Sequence, residues 1–269
     1  MSDIVLDVSP ESLARANDAN MIEGFAACVR AYGGDVADEP DLLWCAGPMG
    51  VGSRVLRSQL APETVDDRIW WVMERARASR TPFYWYISPS TRPADLDTRL
   101  LRHGFTDGGD EPAMGVALAR LPSVLPLPEG VTVEQVSDRA ALEEWARTAY
   151  EVLGAPNSED APFVAAVSRD TLDNNAAAHY YLARLDGTPV ATAGLTLAAG
   201  VAGLFLVATV EAARGRGIGA AITMAPLLAA RDRGYAVGVL QASEMGYPIY
   251  SRMGFTEQFR YRSFYWKPD

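Results

Sequence analysis

The chain has 269 residues, of which 49 % are hydrophobic and 22 % are charged, and its formal net charge is −10. This length accommodates one large domain or two smaller ones, and the composition is that of a globular protein with a sizeable core. The negative charge argues against a general nucleic-acid binder, which would carry clustered lysine and arginine, and mildly favours a cationic acceptor such as an amine.

Membrane, disulfide and metal roles find little support in the sequence. No stretch approaches the roughly 20 uninterrupted apolar residues of a spanning helix, and the acidic start lacks the basic flank of a signal peptide, so we expect a cytoplasmic protein. Cys28 and Cys45 are expected to be buried free thiols. His103 and His179 are too far apart in sequence to indicate a metal centre, and no metal is expected.

The first 120 residues predict a short α/β pattern. Residues 42–45 are expected to form a strand, 66–78 an amphipathic helix, 82–88 a strand, 94–103 a helix and 114–118 a strand. Residues 121–130 then contain three prolines within seven positions and end in Gly130, which prevents a continuing helix or a central strand. We therefore predict a domain boundary here, with domains at 1–122 and 129–269.

The second half has a clearer pattern. It predicts a strand at 131–136, a helix from a Ser137 or Asp138 cap to about 153, and a helix at 161–172. Strands at 178–185, 189–197 and 202–210 follow, the first two joined by the hairpin signal Asp186-Gly187. A helix at 217–233, a strand at 235–241, a short helix after Ser243 and strands within 255–266 complete the order βααβββαβαββ.

This order predicts an α/β (α+β) fold with a mixed, mostly antiparallel sheet flanked by helices. The first half resembles a fainter copy of the second, because Arg99-Leu-Leu-Arg-His-Gly-Phe105 and Tyr250-Ser-Arg-Met-Gly-Phe255 both end a helix with glycine before phenylalanine. We interpret the similarity as an internal duplication.

A glycine-rich loop, Arg214-Gly-Arg-Gly-Ile-Gly219, connects an apolar strand to a helix. Small residues let the backbone approach an anion closely, while unpaired amides and the positive end of the helix dipole face it. The two arginines add charge, so a diphosphate is the expected ligand. Gly215-x-Gly217-x-x-Ala220 also fits the dinucleotide-binding fingerprint. Too few residues follow it, however, for the βαβ series that a dinucleotide-binding fold requires. A simple tight turn is the other alternative.

The loop resembles the acyl-CoA signature (Arg or Gln, x, x, Gly, x, Gly or Ala) of the GNAT superfamily of N-acetyltransferases. The resemblance covers residues 131–266 and includes the element order and the ending Tyr250-x-x-x-Gly-Phe255. It implies the acyl-CoA N-acyltransferase (GNAT) fold in the second domain, with a degenerate copy in the first, and acetyl-CoA as co-substrate. It also implies a set of cofactor-binding residues whose backbone holds the pantetheine arm or the diphosphate: Val207, Ala208, Thr209, Arg214, Gly215, Arg216, Gly217, Ile218, Gly219 and Ala220.

Acyl transfer to an amine needs a neutral nitrogen, a donor to the oxyanion and a proton for the leaving thiolate. The resemblance implies that Tyr250 is the acid, with Tyr247 in reserve. An acidic residue that serves as base in some members is replaced here by Val239, so Glu244 is the candidate base, acting directly or through water. Glu244 can equally be an acid that stabilises a helix start after a Ser243 cap.

The expected activity is transfer of an acetyl group to the amine of a small molecule by direct attack. A non-catalytic acyl-CoA or metabolite-binding module and a peptide or protein N-acetyltransferase remain as alternatives. The acceptor pocket is expected around Trp145, Tyr150 and residues 157–160, which is the region that varies with substrate in the family. The first domain has Ser58-Gln-Leu-Ala-Pro62 where a diphosphate loop would fall, and is expected to wall the acceptor site or to form a homodimer. No nucleic-acid or membrane partner is expected.

Overall fold

The computed structural model describes residues 3–31, 33–46, 53–153 and 178–268. These parts contain six α-helices, which are α1 (Pro10–Ala31), α2 (Val65–Ser79), α3 (Leu96–Arg102), α4 (Arg139–Leu153), α5 (Ile218–Asp232) and α6 (Tyr247–Arg252). They also contain eleven β-strands, which are β1 (Asp35–Asp38), β2 (Leu42–Ala46), β3 (Ser53–Ser58), β4 (Phe83–Ile87), β5 (Thr106–Ala117), β6 (Val131–Gln135), β7 (His179–Leu185), β8 (Thr188–Ala198), β9 (Val201–Thr209), β10 (Val237–Gln241) and β11 (Thr256–Trp266). No helix in these ranges is both long and apolar enough to cross a bilayer.

The chain divides into two compact units that interleave along the sequence. The major unit consists of Met1–Gly24 and Ala113–Gln258, and the minor unit of Phe25–Pro112 and Phe259–Asp269. The sequence predicted two consecutive segments instead. The predicted domains at 1–122 and 129–269 therefore stay a prediction.

In the major unit the strands lie in the order β5-β10-β9-β8-β7-β6. All neighbours pair antiparallel except β9 and β10, which are parallel. Ala202, Leu204 and Leu240 pack on one face with the apolar residues of α5. Val201 and Val239 pack on the opposite face with Leu13 and Ala16 of α1. The alternation of side chains along β9 and β10 therefore gives each helix its own face of the sheet.

The Asp186-Gly187 turn has the predicted hairpin conformation. Both residues have positive φ angles, 49° and 83°, as a two-residue turn of the type that matches strand twist requires. Asp138 rather than Ser137 caps α4, because its carboxylate accepts a hydrogen bond from the amide of Ala141 at 2.9 Å. Cys28 and Cys45 are buried free thiols, as expected.

The minor unit repeats the element order of the C-terminal half. Its sequence β1-β2-β3-α2-β4-α3-β5 matches β7-β8-β9-α5-β10-α6-β11, and β3 pairs parallel with β4 as β9 does with β10. After α3 and α6, Gly104 and Gly254 have φ angles of 84° and 92°. Each following phenylalanine donates its amide to the carbonyl five residues earlier, at 3.1 Å to Leu100 and 3.0 Å to Tyr250. The repeated order and helix ending support the interpretation as a duplication.

Several predicted elements need correction. Residues 256–266 form one strand, not two, because Phe259, Tyr261, Ser263 and Tyr265 alternate without a turn signal. The strand predicted at 114–118 begins at Thr106, since Gly109 has a φ of 88° within the strand rather than ending it. Helix α1 and strands β1 and β3 were not predicted. The helix predicted at 161–172 lies outside the described residues.

Candidate active site

The glycine-rich loop joins β9 to α5 in the conformation that its glycines allow. Gly215 and Gly217 have φ angles of 76° and 80°. A Cβ atom at Gly215 would meet no neighbour within 4 Å, so the backbone conformation and not a lack of space calls for glycine there. Gly217 is the left-handed residue from which α5 starts.

The amides of this loop are not used by the fold. The first bond of α5 runs from the amide of Ala221 to the carbonyl of Gly217, at 3.1 Å. Within the described ranges, the amides from Gly215 to Ala220 donate no hydrogen bond to the protein. The first turn of α5 also contains no acidic side chain. These donors and the positive helix end are therefore available to an anion.

Two exposed arginines, Arg214 and Arg216, lie in the same loop as these amides. The Nε atom of Arg214 donates to the carbonyl oxygen of Thr209, the last residue of β9, at 3.1 Å. This bond fixes the guanidinium beside the start of the loop. Arg216 lies between the two left-handed glycines. In a chain of net charge −10, the loop is thus a local positive region.

Strand β9 separates from β10 just before this loop. Their parallel pairing covers three residue pairs and ends at Leu204 opposite Leu240. From Phe205 onward β9 has no partner on that side in the described residues. On its other side, Leu206 and Val207 lie opposite the single residue Ala193 of β8, which makes a β-bulge.

Leu206 is the strained residue of this bulge, because it is a branched side chain at a φ of 48°. Such conformations cost about 1–3 kcal/mol and cluster at functional sites. Leu206 comes directly before Val207, Ala208 and Thr209, the residues expected to hold the pantetheine arm. The glycine motif did not reveal it, and no residue type in the sequence signals a leucine in this conformation.

Tyr250 lies on α6 next to the loop's helix. Its side chain is 7 % exposed, and its ring packs against Gly246, where a Cβ atom would lie 2.7 Å from a ring carbon. Burial raises the pKa of the phenol to about 12, against a smaller lowering by a hydrogen bond with Thr223. Thr223 in turn donates to the carbonyl oxygen of Gly219 at 2.7 Å. Thr223 therefore lies near both Tyr250 and the first turn of α5.

The other predicted catalytic residues are less well placed. Glu244 is exposed, and it lies in a turn closed by the amide of Gly246 on the carbonyl and hydroxyl of Ser243. The helix begins only at Tyr247, so Ser243 caps this turn rather than the helix, and Glu244 is not in the first helical turn. Tyr247 is half-buried against the same core as Tyr250.

The predicted acceptor residues lie only partly within the described ranges, and the acceptor pocket stays a prediction. Trp145 is buried, its ring centroid is 4.5 Å from that of Tyr180, and its Nε1 atom donates to the carbonyl of Ala193 at 3.2 Å. It is a core residue that supports the bulge. Residues 157–160 lie outside the described residues. In the ranges that the structure describes, no cluster of three side chains could hold a metal ion.

Comparison with protein families gives one match, in the region of the loop. Residues 176–257 match the model of the acetyltransferase (GNAT) domain, which spans β7 to the start of β11. No curated protein matches the sequence. The major unit therefore contains a GNAT-type acetyltransferase domain.

Solved structures agree with this assignment at the level of the fold. A GCN5-related N-acetyltransferase from Kribbella flavida is 21 % identical, with a TM-score of 0.71 over 96 % of both chains. One from Sphaerobacter thermophilus is 20 % identical, with a TM-score of 0.62 over 95 % of this chain and 93 % of that one. A tandem GNAT protein from the clavulanic acid biosynthesis pathway is 15 % identical, with a TM-score of 0.57 over 85 % and 79 %. The chain has the GNAT fold, and its duplicated element order has a tandem counterpart.

Proposed function

We propose that the protein transfers an acetyl group from acetyl-CoA to the amine of a small molecule. The observation that carries this proposal is the set of free amides from Gly215 to Ala220, placed directly beyond the point where β9 leaves β10. The amides and the helix end suit a diphosphate, and the gap between the strands suits an extended arm that ends in a thioester.

In the proposed complex the CoA diphosphate accepts hydrogen bonds from the loop amides and pairs with Arg214 and Arg216. The pantetheine arm adds as a short extra strand along Val207–Thr209, where β9 has lost its neighbour. The acetyl carbonyl then lies near the bulge at Leu206.

The chemical step is direct attack by the neutral amine on the thioester carbon. The C–N bond forms, the C–S bond breaks, the nitrogen loses a proton and the products are an amide and coenzyme A. Tyr250 is the proposed donor to the departing sulfur. With a pKa of about 12 it is protonated at every physiological pH. Full transfer to a thiolate whose conjugate acid has a pKa of about 8.5 is uphill, so Tyr250 stabilises the thiolate through a hydrogen bond.

In the part of the chain that the structure describes, neither β9 nor β10 contains an acidic residue that could accept the proton lost by the amine. Val239, at the position where some family members carry a base, is buried in the apolar cluster with α1. Glu244 is exposed and is the proposed acceptor through water. The absence of an acid at Val239 also motivates the second candidate, a module that binds acyl-CoA without turnover. A peptide acceptor uses the same loop and remains the third.

Two measurements separate these functions. Calorimetric titration of acetyl-CoA tests the proposed donor, and no detectable heat at millimolar ligand would reject all three functions. Thiol release with alkylamines, arylamines, amino sugars and a short peptide then tests transfer. Release with a small amine supports the main proposal, release with the peptide alone supports a peptide acetyltransferase, and binding without release supports the binding module.

The remaining parts of the proposal concern the surroundings of the enzyme. Two buried free thiols favour a reducing compartment, and we propose the cytoplasm. The negative net charge favours a cationic small molecule over nucleic acid as partner. A homodimer through the minor unit is proposed as well, and light scattering of the purified protein tests it.

A further inference from the structure

The two faces of the sheet carry different side chains at the gap between β9 and β10. Tyr250 belongs to the core cluster on the α5 face, together with Leu240. Val237 and Val239 face α1 instead, so Gln241 is the next residue of β10 on the α1 face. Gln241 comes one position after the last β9–β10 pair, which places it where the gap opens.

The side chain of Gln241 is held by a buried asparagine of α1. Asn17 is wholly buried, and its Nδ2 atom donates to the carbonyl oxygens of Met114 at 3.0 Å and Leu240 at 3.3 Å. These two bonds use both hydrogens of the amide nitrogen. They therefore identify which atom of the Asn17 side-chain amide is the nitrogen and which is the oxygen. Its Oδ1 atom is then left to accept a hydrogen bond from Nε2 of Gln241 at 2.7 Å.

This bond also decides the orientation of Gln241. Because Nε2 must face Asn17, the Oε1 atom faces away from it, and in the described part of the chain Oε1 accepts no hydrogen bond. Gln241 is half-buried rather than exposed. The fold therefore presents one fixed carbonyl oxygen at the mouth of the gap, on the face opposite Tyr250.

We propose that Oε1 of Gln241 accepts a hydrogen bond from the N–H of the acceptor amine and that Asn17 is the residue that positions it. The proposal rests on the function proposed above. In the proposed complex the amine attacks the thioester carbon from the α1 face of the sheet, while Tyr250 donates a hydrogen bond to the sulfur from the α5 face. A neutral amide oxygen can bind a neutral amine, whereas a carboxylate would favour the unreactive ammonium form. Gln241 thus binds the acceptor without the added stabilisation that a carboxylate would give to the ammonium form.

The test compares variants with an amine for which the wild-type protein releases thiol. Gln241→Met keeps the size of the side chain but removes the oxygen, and the KM for the amine should rise about tenfold, the effect of one lost hydrogen bond. Its kcat and its calorimetric affinity for acetyl-CoA should stay within about twofold of wild type. Gln258→Met is the matched control, since the side chain of Gln258 bonds only to Thr256 among the described residues and its loss should leave the KM unchanged.

Asn17→Ala should raise the same KM, and the double variant Asn17→Ala/Gln241→Met should add little, because both changes remove one interaction. Asn20→Ala is its control. Asn20 is a buried residue of the same helix that donates to the carbonyls of Ala198 and Val201, and its loss should lower stability without changing the KM.

The outcomes separate the two proposals. An unchanged KM for Gln241→Met, in a protein that turns over and unfolds cooperatively, overturns the role of Gln241 and leaves the function intact. Equal KM effects of Asn17→Ala and Asn20→Ala show that α1 acts only through stability and overturn the role of Asn17. A wild-type protein that binds acetyl-CoA but acetylates no amine overturns the proposed function, and this inference with it.

Discussion

Replacing Gly217 by alanine separates the binding role of the loop from its structural role. An alanine held at a φ of 80° costs about 1–2 kcal/mol. Within the described ranges the amides from Gly215 to Ala220 donate no hydrogen bond to the protein, so Gly217→Ala can relax the strain in the free protein by loosening the first turn of α5, whose first bond ends on the Gly217 carbonyl. Acetyl-CoA must then restore the left-handed conformation. Its affinity should fall by the same free energy, which is about 5- to 30-fold.

Gly187→Ala is the matched control for this variant. Gly187 has a φ of 83° and open space around it, so the intrinsic strain is the same. Its turn is closed by the strand pair Leu185–Thr188 and by the bond from the amide of Asp186 to Gly130, which prevent relaxation. The strain should therefore appear in stability, as a melting temperature lower by roughly 2–8 °C, with unchanged acetyl-CoA affinity.

The assay is calorimetric titration of acetyl-CoA into the wild-type protein and both variants, with thermal unfolding measured in the same buffer. If Gly217→Ala binds acetyl-CoA within twofold of wild type while Gly187→Ala shows the expected stability loss, the loop amides do not hold the diphosphate.

Four further predictions follow from the same site and fold. Tyr250→Phe should lower kcat, measured by thiol release, about 10- to 100-fold without changing acetyl-CoA affinity, because the hydrogen bond to the departing sulfur is lost. Arg214→Gln should weaken acetyl-CoA binding about tenfold and reduce its salt dependence in calorimetry. Titration should give one acetyl-CoA per chain. Burial and the charge of Arg233 lower the pKa of His179, so the unfolded chain binds its proton more readily. The free energy of unfolding should fall as the pH drops below about 6.5, by at most about 1.4 kcal/mol per pH unit, and His179→Gln should flatten this slope in urea titrations.

The controls for these variants come from the same chain. Tyr247→Phe alters a half-buried tyrosine of the same helix, and a larger kcat effect there would transfer the acid role to Tyr247. Arg139→Gln removes an exposed arginine whose partner is Glu143. Equal weakening of acetyl-CoA binding by both arginine variants would show that Arg214 contributes only through the net charge of the protein. A pH slope that His179→Gln leaves unchanged would assign the acid sensitivity to another group.

The parts of the fold that sequence predicts well are those whose cues are local. The helix ending at Gly254 before Phe255, the Asp186-Gly187 turn and the glycines of the loop each depend on a backbone conformation that few residues adopt. The same cues predict the proposed diphosphate site, because a bound anion would contact backbone atoms whose positions the glycines determine.

The parts that escaped prediction depend on contacts distant in sequence. Helix α1 carries Asn17, Asp18 and Asn20 toward the interior, which obscures the apolar periodicity of a buried helix. Within the described ranges, the side chain of Asn17 bonds only to Met114, Leu240 and Gln241, which lie about one hundred or more positions away. The position of the strained residue Leu206 depends likewise on pairing with β8. The proposed role of Gln241 on the acceptor side was therefore not apparent from the sequence, whereas the proposed donor loop was.

The minor unit shows what the fold looks like without the binding features. Its helix α2, which corresponds to α5, has Asp66 and Asp67 in its first turn. These carboxylates put negative charge in the first turn of α2, where α5 has none, and they would repel a diphosphate even though Asp66 pairs with Arg99. The loop before α2 has Pro62 and no glycine, and Leu100 takes the place of Tyr250 in the helix ending. One scaffold thus occurs twice in the chain, and the differences at the helix start and at one side chain limit the proposed donor site to the major unit.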